Sequence, residues 1–163
     1  MQHRDVVGGH PQSEHHGYPY ARLLAMAVLS FIAMYVLMYA MVDKLADVYP
    51  SWNQAYMAAL MTAPMMIMEL FLMRSMYPKR RLNGVIIAAS VALLALSWFA
   101  IRYQWGISDR QFLRSMIPHH SGAILMCREA EIGDPQIKTL CSEIMAGQQR
   151  EIDQMNAKLG ATE

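Results

Sequence analysis

The distribution of apolar and polar positions divides the chain near residue 105. Upstream lie three runs that are apolar all round: Leu23 to Val42 without a charge, Ala55 to Met73 interrupted only by Glu69, and Val85 to Ile101 without a charge. A helix rises about 1.5 Å per residue and a bilayer core is about 30 Å thick, so these lengths predict transmembrane helices over 23–42, 55–73 and 85–101. Together with their links they make up a membrane region over 21–105. Downstream the pattern changes to a polar sequence with apolar stripes. Ser108 is placed to N-cap a helix, with Gln111 as reciprocal partner of a capping box and Asp109 in the first turn. The first stripe is Phe112, Leu113, Met116, His120, Ala123 and Cys127. Gly133, Asp134 and Pro135 end that helix and start the next, with Asp134 as N-cap and Pro135 at the first position. The second stripe is Ile137, Leu140, Cys141, Ile144, Gln148, Ile152 and Met155. So short a link predicts an antiparallel hairpin over 108–158. Pro118 withholds a donor from the carbonyl of Arg114, which predicts a kink in the first helix.

The predicted fold is therefore all-α: three transmembrane helices followed by an amphipathic hairpin. Such a hairpin has one stripe per helix and cannot enclose both, so pairing in a homodimer or higher homo-oligomer is expected to complete a four-helix bundle. The alternative is that Met116, Ile144 and Met155 pack on the spans of their own chain. Residues 1–20 carry His3, His10, His15 and His16 among Gly8, Gly9, Pro11 and Gly17, which reads as a flexible tail that either catches metal loosely or is a plain polar leader.

Charge sets the orientation. Arg74, Lys79, Arg80 and Arg81 fill the second short loop, whereas the first has Lys44 beside Asp43 and Asp47. The basic loop belongs in the cytoplasm, so the tail is expected inside and the hairpin outside, the topology of a multi-pass protein of a bacterial inner membrane. A net charge of +1 excludes a basic field for nucleic acid. The sequence has no nucleophile–base signature, phosphate loop or Glu-x-x-His pair, so it is not expected to be an enzyme. Methionine is the outlier, with 16 residues. A flexible thioether suits adaptable packing or soft-metal ligation.

The densest chemistry is Met116-Ile117-Pro118-His119-His120 followed by Met126-Cys127. Helical spacing puts Met116, His120 and Cys127 on one side, with His119 and Met126 on its flank. Folding the hairpin about its turn brings Cys141 level with Cys127, and Gln148 and Gln149 level with the two histidines, with Met145 bordering the layer. Imidazole, thiolate and thioether together suit Cu(I), with Zn(II) as competitor. The candidate metal residues are Met116, His119, His120, Met126, Cys127, Cys141 and Met145. Two readings of the cysteines stay open, thiolate ligands or a disulfide. In the spans, Met57, Met61, Met65, Glu69 and Met73 recur every four residues, and Met34, Met38 and Met41 stripe the first. They read as packing filler or, alternatively, as the path of an oligomeric metal transporter. A third reading is a structural or accessory membrane subunit without metal.

The run from Phe112 to Met126, with its Met-Ile-Pro-His-His core, resembles the signature of the bacterial domain-of-unknown-function family 305, and Ile144, Gln148, Glu151, Ile152 and Met155 resemble its second helix. The resemblance covers roughly residues 108–158. It implies a ferritin-like helical bundle, an exported location and, through periplasmic copper-binding members, a role in copper tolerance alongside a copper-handling partner. Met116, His119, His120 and Met126 match the motif; Cys127 and Cys141 depart from it.

Overall fold

The computed structural model describes residues 19–161. The histidines of the tail lie outside these residues. Five α-helices follow in order: α1 Pro19–Leu37, α2 Trp52–Leu72, α3 Arg80–Tyr103, α4 Asp109–Glu129 and α5 Pro135–Gly160. Two 3-10 turns, Met38–Met41 and Leu45–Asp47, lie between α1 and α2. No strand occurs among the described residues.

The three apolar helices run a few residues past the predicted spans at their starts, since helical geometry continues beyond the apolar stretch. Ser51 begins α2 by accepting the amide of Gln54 at 3.3 Å. The buried faces of α2 and α3 are built from small residues, Ala58, Thr62 and Ala63 on one and Ser90, Ser97 and Ala100 on the other. Small side chains let helix backbones approach closely. Thr62 satisfies its own hydroxyl by donating to the carbonyl of Ala58 at 2.8 Å. At the end near the α2–α3 link, Leu23, Leu70 and Tyr77 form a cluster with Tyr20, Met26, Met66 and Ile86. There the Tyr77 hydroxyl donates to Glu69 at 3.2 Å, giving the one acidic group of the second span a partner. Large apolar side chains point outward along all three helices, Leu29, Phe71 and Leu72 among the most exposed.

Gln104, with φ of 51°, and Gly106, with φ of 68°, turn the chain out of α3. Gly106 has the left-handed backbone that a side chain disfavours. The hairpin that follows is not the free-standing pair of stripes that periodicity predicts. The buried line on α4 is Ile117, Ser121 and Ile124, and on α5 it is Ile152, Met155 and Leu159. Phe112, Ile137 and Leu140 are about half exposed. The reason is a second cover: α5 packs on one side of α4, and the segment between α1 and α2 packs on another. Tyr49 joins the hairpin core and donates to Asn156 at 3.0 Å. Gly122 lies so close to this segment that a Cβ there would stand 3.2 Å from the carbonyl of Met41. The hairpin packs on the 38–49 segment of its own chain, the link between α1 and α2, through Ser121, Gly122 and Asn156.

One local expectation is also corrected. Ser108 occupies the N-cap but its side chain makes no capping bond, and Gln111 instead accepts the amide of Trp52 at 3.0 Å. The tertiary partner outcompetes the local one. Pro118, where the kink is expected, lies inside one continuous helix. Asp134 does cap α5, accepting the amides of Gln136 and Ile137 at 2.7 and 3.2 Å.

Candidate metal-binding face of the hairpin

Successive residues of a helix point about 100° apart, and this alone separates the two histidines. His119 is exposed. His120 turns toward α5, its side chain 13% exposed, with Nδ1 3.0 Å from Oε2 of Glu151. The ring centroids are 6.0 Å apart and the planes 58° apart. Met116 and Met145 are half-buried against the hairpin core, whereas Met126 is exposed. Cys127 and Cys141 come level as the mirror predicts, with Cα atoms 5.3 Å apart, and are joined in a disulfide. In this oxidised state neither sulfur is a thiolate, so a ligand role for them is confined to the reduced protein. Among the described residues, no three side chains of His, Cys, Asp or Glu gather as a metal cage would require.

Glu151 was not foreseen. The mirror pointed to Gln148 and Gln149, but the observed pairing of His120 lies three residues further along α5. Gln149 instead accepts from Lys44 at 3.2 Å and donates to Asp153 at 2.9 Å. Also unforeseen is the polar lock under α4. The buried Ser121 hydroxyl donates to Oδ2 of Asp47 at 2.7 Å and accepts the amide of Asp43 at 3.0 Å. Arg128 pairs with the Asp43 carboxylate, whose side chain is only 1% exposed.

Burial holds the His120 imidazole below its ordinary value of 6.5, and His119 adds to this, while Glu151 opposes it. The folded chain thus favours the neutral ring, the form that ligates a metal. The stability this brings is complete above 6.5 and is lost as pH falls through the lower folded-state value. Denaturant midpoints should fall from pH 7 to pH 5, and His120→Gln should flatten the part of that slope which His120 supplies.

The disulfide closes a loop with a sequence separation of 14. A loop of that size is worth about 3 kcal/mol. Replacing both cysteines by serine should lower unfolding stability by about that amount. An unchanged midpoint under reducing and oxidising conditions would argue against it.

Fold and site together define a class: an all-helical protein with three helices of membrane-spanning length and a helical hairpin clamped onto the link between the first two. Residues 42–159 match the family described as Domain of unknown function (DUF305), and the chain belongs to that family. The match starts in the segment that covers α4 and ends at Leu159, the last buried residue of α5, so it takes in the interlocked unit and two of the apolar helices rather than the hairpin alone. The chain is also 35% identical over 140 residues to an uncharacterized protein of Acanthamoeba polyphaga mimivirus, covering 84% of this chain and 90% of that one. No solved structure matches it.

Proposed function

We propose that this is a membrane-anchored protein that binds a soft metal ion, Cu(I) above all, on the outer face of the hairpin, for sequestration or delivery. The observation that carries the reading is the joint placement of Met116, His119 and Met126 on the same side of α4, with His119 and Met126 open to solvent. Thioether and imidazole together prefer Cu(I); imidazole alone also takes Zn(II), which is the expected competitor. Anchoring is supported by three helices long and apolar enough to cross a bilayer. Their outward leucines, valines and phenylalanines would form large exposed patches in water. The excess of basic residues at 74–81 supports a cytoplasmic α2–α3 link, with the hairpin on the opposite side. Reporter fusions after Lys79 and after Gly160 should then report opposite compartments. The same compartment for both would remove the anchoring topology.

The methionine row of α2 and its C-cap gives less support to a conduction path within one chain. Met57, Met61 and Met73 are 39–44% exposed, and Met65 alone of the row is partly buried. The deciding experiment is metal analysis of the purified full chain after Cu(I) loading and desalting. Retention of copper that a His119→Ala variant loses supports the reading; no retained copper in the wild type overturns it.

A further inference from the structure

Arg114 stands in the first half of α4, four residues after Arg110 and therefore on the same side of the helix. Its Nε is wholly buried and has no hydrogen-bond partner among the described residues. A guanidinium carries five N–H donors, accepts nothing and keeps its charge at every ordinary pH, so only an acceptor, and best an anion, satisfies it. Burying a donor of a charged group without one is costly. Arg114 is thus a buried cation that its own chain does not complete.

Two clefts meet this side chain. One, of about 210 Å³, has Arg110, Arg114 and Asn156 in its wall beside Tyr49 and Leu159. The Tyr49 hydroxyl donates to Oδ1 of Asn156 at 3.0 Å, so what Asn156 has left to offer a ligand is its amide N–H groups. No aspartate or glutamate lines this cleft among the described residues. The carboxylates nearest in sequence, Asp109 and Asp153, are exposed, and Asp153 accepts from Gln149.

The other cleft, of about 270 Å³, has walls that are chiefly aromatic and aliphatic: Tyr35 near the end of α1, Pro50 before α2, and Trp52 and Ala55 at the start of α2. Arg114 lines this cleft too, which sets its charge beside the positive end of the α2 dipole. Like charges gather there, and an anion relieves their repulsion. A donor-only cationic cleft and an apolar one, sharing a single arginine, describe the outline of an amphiphile with an anionic head.

We propose that Arg114, with Arg110 and Asn156, binds the phosphate of an anionic lipid, whose glycerol and first methylenes lie in the cleft of Tyr35, Trp52 and Ala55. The recognition of phosphate stands on the clefts alone. The choice of a lipid over free phosphate rests on the membrane anchoring given under Proposed function; the metal reading plays no part in it. Two phosphate oxygens fit the fork of a guanidinium, which the point charge of a lysine does not match. The polar cleft has walls from α4, α5 and the α1–α2 link, so a bound head ties all three together and stabilises the folded hairpin by mass action.

Calorimetric titration of the full chain in a non-ionic detergent tests this with two probes, dihexanoyl phosphatidylglycerol and inorganic phosphate. Wild type is expected to bind the phospholipid more tightly than inorganic phosphate. Arg114→Gln should weaken phospholipid binding at least about tenfold, the worth of a hydrogen bond to a charged group. Arg102→Gln, an exposed position of α3 outside both clefts, should change nothing. Ala55→Leu narrows the apolar cleft and should weaken binding of the phospholipid but not of inorganic phosphate. Equal affinity in wild type and Arg114→Gln, or equal losses from Arg114→Gln and Arg102→Gln, overturns the site. If Arg114→Gln loses helix content, Arg114→Lys takes its place, and binding by that variant as tight as wild type overturns the proposal. Inorganic phosphate bound as tightly as the phospholipid, and lost in Arg114→Gln, overturns the lipid and leaves a site for free phosphate. The reporter fusions described above test the anchoring separately: fusions in opposite compartments, with no phospholipid bound by wild type, overturn the lipid site and leave the anchoring.

Discussion

The double variant His119→Ala, His120→Ala is expected to lose Cu(I) binding by well over about a hundredfold, since even an outer-shell partner is worth about 10–100-fold. The helix should survive this change. His119 is exposed, and alanine is the best helix former, so the cost at that position is small. His120 is half-buried against Glu151, and its removal leaves a carboxylate that is 54% exposed and remains hydrated. Circular dichroism should therefore show an unchanged helix content while competition against a Cu(I) chelator shows the loss. The single variants divide the work: His119→Ala should account for most of the loss, and His120→Ala, whose ring turns to Glu151, for little of it. Undiminished affinity in the double variant would remove α4 from consideration as the metal site.

Ser121→Ala should be the most damaging conservative change in the hairpin. Alanine adds no bulk to this fully buried site, but it takes away one hydroxyl that serves two buried partners. Asp47, 6% exposed, loses its donor, and the amide of Asp43 loses its acceptor. Leaving a buried neutral group unpaired costs about 1–3 kcal/mol and a charged one more, so the sum is about 4 kcal/mol. The expected result is a hairpin released from the segment at 42–49, seen as new protease cleavage there while the apolar helices stay protected. A variant that unfolds at the same denaturant concentration as wild type would show that the lock contributes nothing. Ser121→Thr, which keeps the hydroxyl, should recover part of the difference.

The helices and the hairpin turn were legible in the sequence because they are local. Apolar length placed the three long apolar helices, and Asp134-Pro135 placed the start of α5. The level pairing of Cys127 with Cys141 followed from counting outward from that turn. The buried side of α4 was not legible. Ser121 and Gly122 carry no apolar periodicity, since what covers them is a segment 74 to 81 residues earlier with polar side chains of its own. Ser121 and Asp47 look like ordinary surface residues until they are seen to satisfy each other. Gln111 shows the same effect on a smaller scale, since its partner is a backbone amide in α2 rather than the cap one turn away. For the candidate site, the residue types were legible but their directions were not. The mirror count gave His120 the wrong partner, because two helices that cross do not stay in step along their length. The cysteines were seen to meet, but only the structure resolved thiolate from disulfide.

The contacts of the 39–49 segment with the hairpin have a consequence for how the protein is made. Those with Ser121, Gln149 and Asn156 span sequence separations of 74 to 107 residues. While the ribosome is still adding α2 and α3, this segment has no partner, and Asp43 and Asp47 must remain hydrated as ordinary charged loop residues. Closure over so long a stretch is entropically slow compared with helix formation, which takes microseconds or less. The three apolar helices can therefore assemble first, with α4 and α5 closing last around Ser121. A chain ending between α3 and α4 would carry all three apolar helices and yet leave Asp43 and Asp47 without the partners that Arg128 and Ser121 supply.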